Sequence, residues 1–215
     1  MSTGLLFVTA PEADHKATNL LLHNLTDWEY SEGDIWFRLV ATKNAYDLEL
    51  LPGTNALDPT PPSLDNNTFD NAWAGSSLKD VEDFCLDVVR NDPKCEIGAS
   101  LLIVVDSRGF WDRDAILVER AVGEEEEGFK SLDSFVKMRV PWREVFSAWC
   151  NLNVANSDFD EMGERRGERG EWEGEEGGGE KGWYDYHAGD CFDLDEESAM
   201  RKDKAFRRLK DDGRV

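Results

Sequence analysis

The carboxylate with the clearest chemical prospects is Asp106, which ends the apolar run LLIVV and precedes Ser107, Arg108 and Gly109. A strand of that composition delivers the next side chain to its carboxyl end, where α/β proteins gather ligand sites. Asp106 is therefore a candidate base, cation ligand or ion-pair partner. The competing expectation is structural, an Asx-turn or a pair with Arg108 or Arg113. Other acidic clusters offer less. Asn156, Asp158 and Asp160 alternate as in the first half of a calcium loop, but the sixth place lacks glycine and the twelfth lacks the bidentate glutamate. Asp190, Asp193, Asp195, Glu196 and Glu197 are explained as readily by a solvated helix start, so no metal or cofactor is expected.

Nucleophilic catalysis finds no motif. G-x-S-x-G does not occur, and His15, His23 and His187 sit in segments without a recognisable serine or cysteine partner. Cys85, Cys95, Cys150 and Cys191 form no C-x-x-C pair and have no histidine at metal-ligand spacing, which predicts reduced thiols. The glycine-rich run 163–182 lacks the preceding strand and the lysine placement of a phosphate loop, and its glutamates repel phosphate.

The tail holds the second candidate site. Trp183, Tyr184, Tyr186, Phe192 and Leu194 are interleaved with Asp185, Asp190, Asp193 and Asp195. Such mixing occurs in disordered motifs that order on a partner, and equally in segments that fold back onto their own domain.

These residues need elements to position them. GLLFVTA predicts a first strand over Leu5 to Val8, and HKATNLLLHNL a helix of two to three turns. Phe37, Leu39 and Ala41 alternate with Arg38 and Val40, and Tyr46, Leu48 and Leu50 with Asp47 and Glu49, which predicts an antiparallel hairpin turned at Lys43 and Asn44. NALDPTPPSLDNNTFDN reads as an extended loop. Ser77 and Asp80 signal the start of a helix carrying Leu78, Val81, Phe84, Cys85 and Val88 on one face, with Pro93 beyond its end. SLLIVVD reads as a strand buried on both faces, and AILVERAV and SFVKMRV as two more, the first two joined antiparallel by a short link. Pro141 then opens a helix whose Trp142, Val145, Phe146 and Trp149 recur at helical spacing and predict an aromatic core stripe.

The 20 residues 163–182 contain eight Gly and seven Glu and predict a flexible linker that few contacts cross. A short helix is expected near Glu196 to Lys210, acidic at its start and basic at its end. The fold expected is α+β, with a central, largely antiparallel sheet and two main flanking helices over residues 1–162, then the linker and an acidic-aromatic tail over 183–215.

The 215-residue chain carries a formal charge of −22, and residues 1–162 hold thirteen Lys and Arg against thirty Asp and Glu. That field opposes nucleic acid and anionic lipid and favours a basic protein, peptide or cation. No stretch is apolar enough to span a membrane, and the start MSTGLLFVTAPEADHK lacks the basic and apolar regions of a secretion signal, so an intracellular, cytoplasmic setting is expected.

FVKMRVPWREVFSAWCNLNVANSDFDEM resembles the closing segment of the uncharacterised domain-of-unknown-function family numbered 6924. Asn151, Leu152, Val154, Ala155, Asn156, Asp158 and Phe159 match its terminal run, and LLIVVDSRGFWDRDAILVERAV is similar to its strand, Asp and second strand. The likeness covers residues 72–162 and implies no established activity and no catalytic residue. In the residues themselves, Leu152, Val154 and Phe159 read as anchors at the edge of the fold, with Asn151 and Asn156 satisfying backbone groups at the helix end. Two functional readings stand: a non-catalytic interaction module with an acidic surface and tail, and an enzyme or small-ligand binder using Asp106.

Overall fold

A strand covered on both faces has to be apolar at every position, and two segments meet that condition. β1 (Gly4–Val8) and β3 (Leu101–Val105) are buried throughout. The computed structural model describes residues 3–31, 33–44, 59–61, 63–64, 69–91, 101–121, 134–165, 182–187 and 194–215. The other strands are β2 (Phe37–Leu39), β4 (Asp114–Ala121), β5 (Ser134–Pro141), β6 (Gly163–Arg165) and β7 (Trp183–Tyr186), and all seven form one sheet in the order β2-β1-β3-β4-β5-β7-β6.

Helices cover both faces, giving an α+β protein. On one side α1 (His15–Leu25) and α4 (Trp142–Asn153) bury Leu21, Leu22, Val145 and Trp149 against Leu6, Val8, Ile103 and Met138. On the other, α2 (Leu78–Asn91) lays Val81, Phe84, Cys85 and Val88 over Leu5, Phe7, Leu102 and Val104. The expected stripe on α4 is core, with Trp142, Val145 and Trp149 buried and Phe146 packed alongside. Three shorter or peripheral helices follow among the described residues: α3 (Ser107–Asp112), α5 (Phe159–Met162) and α6 (Glu196–Asp211).

The antiparallel expectation holds for β3-β4-β5, whose connections are local. The sheet as a whole is mixed, because three of its six pairings, β1-β2, β1-β3 and β5-β7, are parallel. The first two join segments with α1 and α2 between them, and helical crossovers produce parallel neighbours. β2 pairs in parallel with β1, and the hairpin mate expected at 46–50 lies outside the described residues.

The sheet also continues past the boundary expected at Met162. β6 begins at Gly163 and pairs with β7, and β7 adds to the edge of β5 through Lys137↔Trp183 and Met138↔Tyr184. The expectation that few contacts cross into the tail is thereby corrected: Tyr184 is buried against Phe159, ring centroids 5.5 Å apart. Gly182 makes the entry possible, since at φ +91° a side chain would be strained and its Cβ would overlap the carbonyl of Phe135. Most of the expected linker, 166–181, lies outside the described residues.

Candidate functional site

β3 ends at Val105 and the chain turns at once into α3, so Asp106 stands at the strand's carboxyl end as its position in the sequence implied. The strand order reverses here, β1 running on to β2 and β3 to β4, and crevices at such places host ligands in open α/β sheets. Asp106 caps α3: the Gly109 N–H donates to its Oδ1 at 2.7 Å. A Cβ on Gly109 would lie 2.6 Å from the carbonyl oxygen of Asp114, so the cap needs glycine at that place.

The charge partner of Asp106 is Arg139 on β5, not Arg108 or Arg113. Arg139 donates from Nη1 (3.1 Å) and Nη2 (2.5 Å) to the two carboxylate oxygens, and Nη1 also reaches Asp114 Oδ1 at 2.9 Å. Arg108 pairs with Asp112 one turn along, and Arg113 closes α3 in the left-handed conformation at φ 57°. Burial raises the Asp106 pKa, but the bonds and charge of Arg139 and the Gly109 N–H outweigh it and hold the carboxyl below its usual range. Burial likewise works against the Arg139 cation, and the two aspartates more than restore it. A carboxylate whose lone pairs are engaged and whose pKa is depressed is a poor general base at neutral pH. The cluster locks β3, β4 and β5 together at one end.

Around it runs a rim built by the loop after β1 and by α3. Ser107 Oγ donates to Glu12 Oε2 at 2.8 Å, joining the two loops. Asp14 caps α1 by accepting from the Ala17 N–H. Phe110 turns inward against Trp142, ring centroids 5.5 Å apart, and Trp142 Nε1 donates to the Asp114 carbonyl. Trp111, the next residue, points outward and is 82% exposed.

The aromatic candidates of the tail are distributed differently from a free peptide motif. Trp183, Tyr184 and Tyr186 belong to β7, with Tyr184 buried and Trp183 and Tyr186 packed against the two core clusters. Leu194 lies just before α6 at the wall of a cavity of about 420 Å³, and Phe192 is outside the described residues. Asp195, one of the acidic run, caps α6 by accepting from the Ser198 N–H. The segment from Asn151 closes the fold: the Asn156 N–H donates to the Asn151 carbonyl, Ala155 adopts φ 52°, and Phe159 enters the core. Among the described residues no group of three or more His, Cys, Asp and Glu could hold a metal ion. Cys85 and Cys150 are free thiols; burial pushes both pKa values up, that of Cys150 to about 12, which makes them weak nucleophiles.

Sequence reasoning named Asp106 and missed Arg139 and Trp111. Arg139 had a faint signal, since SFVKMRV places two cations, Lys137 and Arg139, at alternate positions of a strand. Lys137 also proves buried, paired with Glu82 of α2 at 2.7 Å.

Fold and site together define an acidic α+β protein with helices on both faces of a mixed seven-stranded sheet and a pinned ion-pair cluster at the carboxyl end of β3. The chain matches no protein-family profile, no curated protein and no solved structure. No helix among the described residues is long and apolar enough to cross a membrane.

Proposed function

We propose that the protein is a non-catalytic interaction module that docks a basic protein or peptide on the rim around α3, with Trp111 as the anchor. The observation that carries this reading is the way Trp111 is presented. Its helix is capped by Asp106 at one end and by Arg113 at the other, is seated through Phe110, and is fastened to β5 through Arg139. A tryptophan held outward on a rigid base contributes large contact area at little entropic cost, the usual character of an interface hot spot. The formal charge of −22 supplies the attraction for a basic partner. A reducing intracellular compartment is the proposed setting, which suits the free thiols Cys85 and Cys150.

The reading in which Asp106 serves catalysis or a small ligand has less support, because that carboxylate is occupied by Arg139 and Gly109. The test is quantitative affinity capture from cell extract with the wild type, Trp111→Ala and Asp106→Asn. A basic protein lost with Trp111→Ala, retained by Asp106→Asn and released by raising the salt supports the module. Identical captured partners for the wild type and Trp111→Ala refute it.

A further inference from the structure

The cavity beside α6 is built from a different part of the molecule. α6 leans on α1 and the loop after it: Phe206 stacks on His23 with ring centroids 5.4 Å apart, Arg201 Nη2 donates to the Trp28 carbonyl at 3.1 Å, and Asn19 Nδ2 donates to the Arg214 carbonyl at 3.0 Å. Between α6, the end of α1 and the first turns of α4 remains the cavity of about 420 Å³. Pockets of about 300–1,000 Å³ are the usual size for small molecules. Trp28, Phe146 and Leu194 give it apolar walls, and Asn24 and Ser147 add polar ones.

Its charges are unequal in availability. Asp27 Oδ1 accepts the N–H groups of Glu29 and Tyr30, and Glu144 is paired with Arg143 at 3.1 Å. Lys202 is the exception: it lines the cavity, is partly buried, and among the described residues has no carboxylate partner. Burial pushes its pKa down, and its own charge helps to keep His23 neutral. In a chain with 46 acidic residues, a cavity-wall cation that pairs with no carboxylate among the described residues stands out. An ammonium withdrawn from water gains most from an anion delivered to it.

We propose that this cavity is a binding site for a small organic monocarboxylate, whose carboxylate pairs with the Lys202 ammonium while its apolar body lies between Trp28 and Phe146. A monoanion suits the site better than a phosphate, since Asp27, Glu29 and Glu144 also line the cavity and repel a second negative charge.

The experiment is an NMR titration of the full-length protein with benzoate, phenylacetate and octanoate to about 10 mM, each beside its uncharged amide. The reporter is the Trp28 indole N–H resonance, assigned with Trp28→Phe. At least one carboxylate is expected to shift that resonance saturably and to bind about tenfold or more tightly than its amide. Lys202→Met keeps the alkyl stem and removes the charge; it is expected to fold with an unchanged spectrum elsewhere and to weaken the same carboxylate about tenfold. Lys202→Arg is expected to retain binding, so a variant that lost the fold would be recognised by its spectrum. Three results overturn the proposal: no carboxylate moves the Trp28 resonance, acid and amide bind alike, or folded Lys202→Met binds as the wild type does.

Discussion

Arg139 and Asp106 form a two-nitrogen ion pair that ties the middle of β5 to the end of β3, although β4 separates those strands in the sheet. Asp106→Asn keeps an oxygen for the Gly109 N–H and surrenders the charge, so it is expected to cost about 1–2 kcal/mol. Asp106→Ala also loses the cap and should cost about 2–4 kcal/mol. Arg139→Met leaves two carboxylates facing each other and is expected to cost about 3–5 kcal/mol. Urea unfolding of the three variants gives this order, and equal values would show that the pair is spectator charge. Because the Asp106 pKa is depressed on folding, its contribution is complete above the ordinary carboxylate range and fades as pH falls through the folded value.

Lys137 and Glu82 make a second ion pair, buried between β5 and α2. Lys137→Met alone strands the glutamate and should destabilise by about 3–5 kcal/mol. The double variant Lys137→Met, Glu82→Leu removes both desolvation costs and is expected to recover most of that loss. A double variant as unstable as the single one would show that the pair contributes net stability.

Trp149 is 1% exposed and meets Phe37 edge to face at 5.1 Å. Trp149→Ala is expected to cost about 3–5 kcal/mol, read as a lowered denaturation midpoint with an unchanged slope. A wild-type midpoint would contradict the burial of α4.

Removing everything after Met162 takes away β6, β7 and α6, exposes the edge of β5 and uncovers Phe159. The truncated chain is expected to melt roughly 10 °C or more below the full chain and to aggregate on heating, as an uncovered strand edge favours. Calorimetry of the two chains decides it. Coincident melting curves would mean that β7 adds nothing to the sheet's stability.

His23 is buried beneath α6, and its pKa falls from its ordinary 6.5 to about 4, first through burial and then through repulsion by Lys202, with Asp203 acting the other way. The unfolded chain therefore takes up the proton first. Its stabilising effect is complete above pH 6.5 and is lost as pH drops toward 4, a change of about 3 kcal/mol. Unfolding free energy measured across that window should decline in the wild type and decline less in His23→Leu. Parallel pH profiles would rule out His23 as the source.

The sequence by itself determined the local elements and their wet and dry faces. LLIVV admits only a strand covered on both sides, the spacing of Val81, Phe84, Cys85 and Val88 marks the inner face of α2, and Trp142 to Trp149 repeats at the period of a helix with one buried stripe. These follow from repeats of 2 and 3.6 residues, expressed within about ten positions of the chain. Asp106 was legible as the residue at a strand's end for the same reason. What it binds was decided by tertiary structure: the choice of Arg139 over the nearer Arg108 and Arg113 depends on strand register, which aligns Asp114 with Pro141 and Ile116 with Arg139. The parallel pairing of β2 and the insertion of β7 beside β5 are likewise choices between distant edges, made by the total burial they permit, and the linker's composition carries no trace of them. Lys202, unpaired among the described residues, is the extreme case, because the sequence of α6 shows only a cation next to Asp203, and its packing against α1 and α4 leaves that ammonium at a cavity wall.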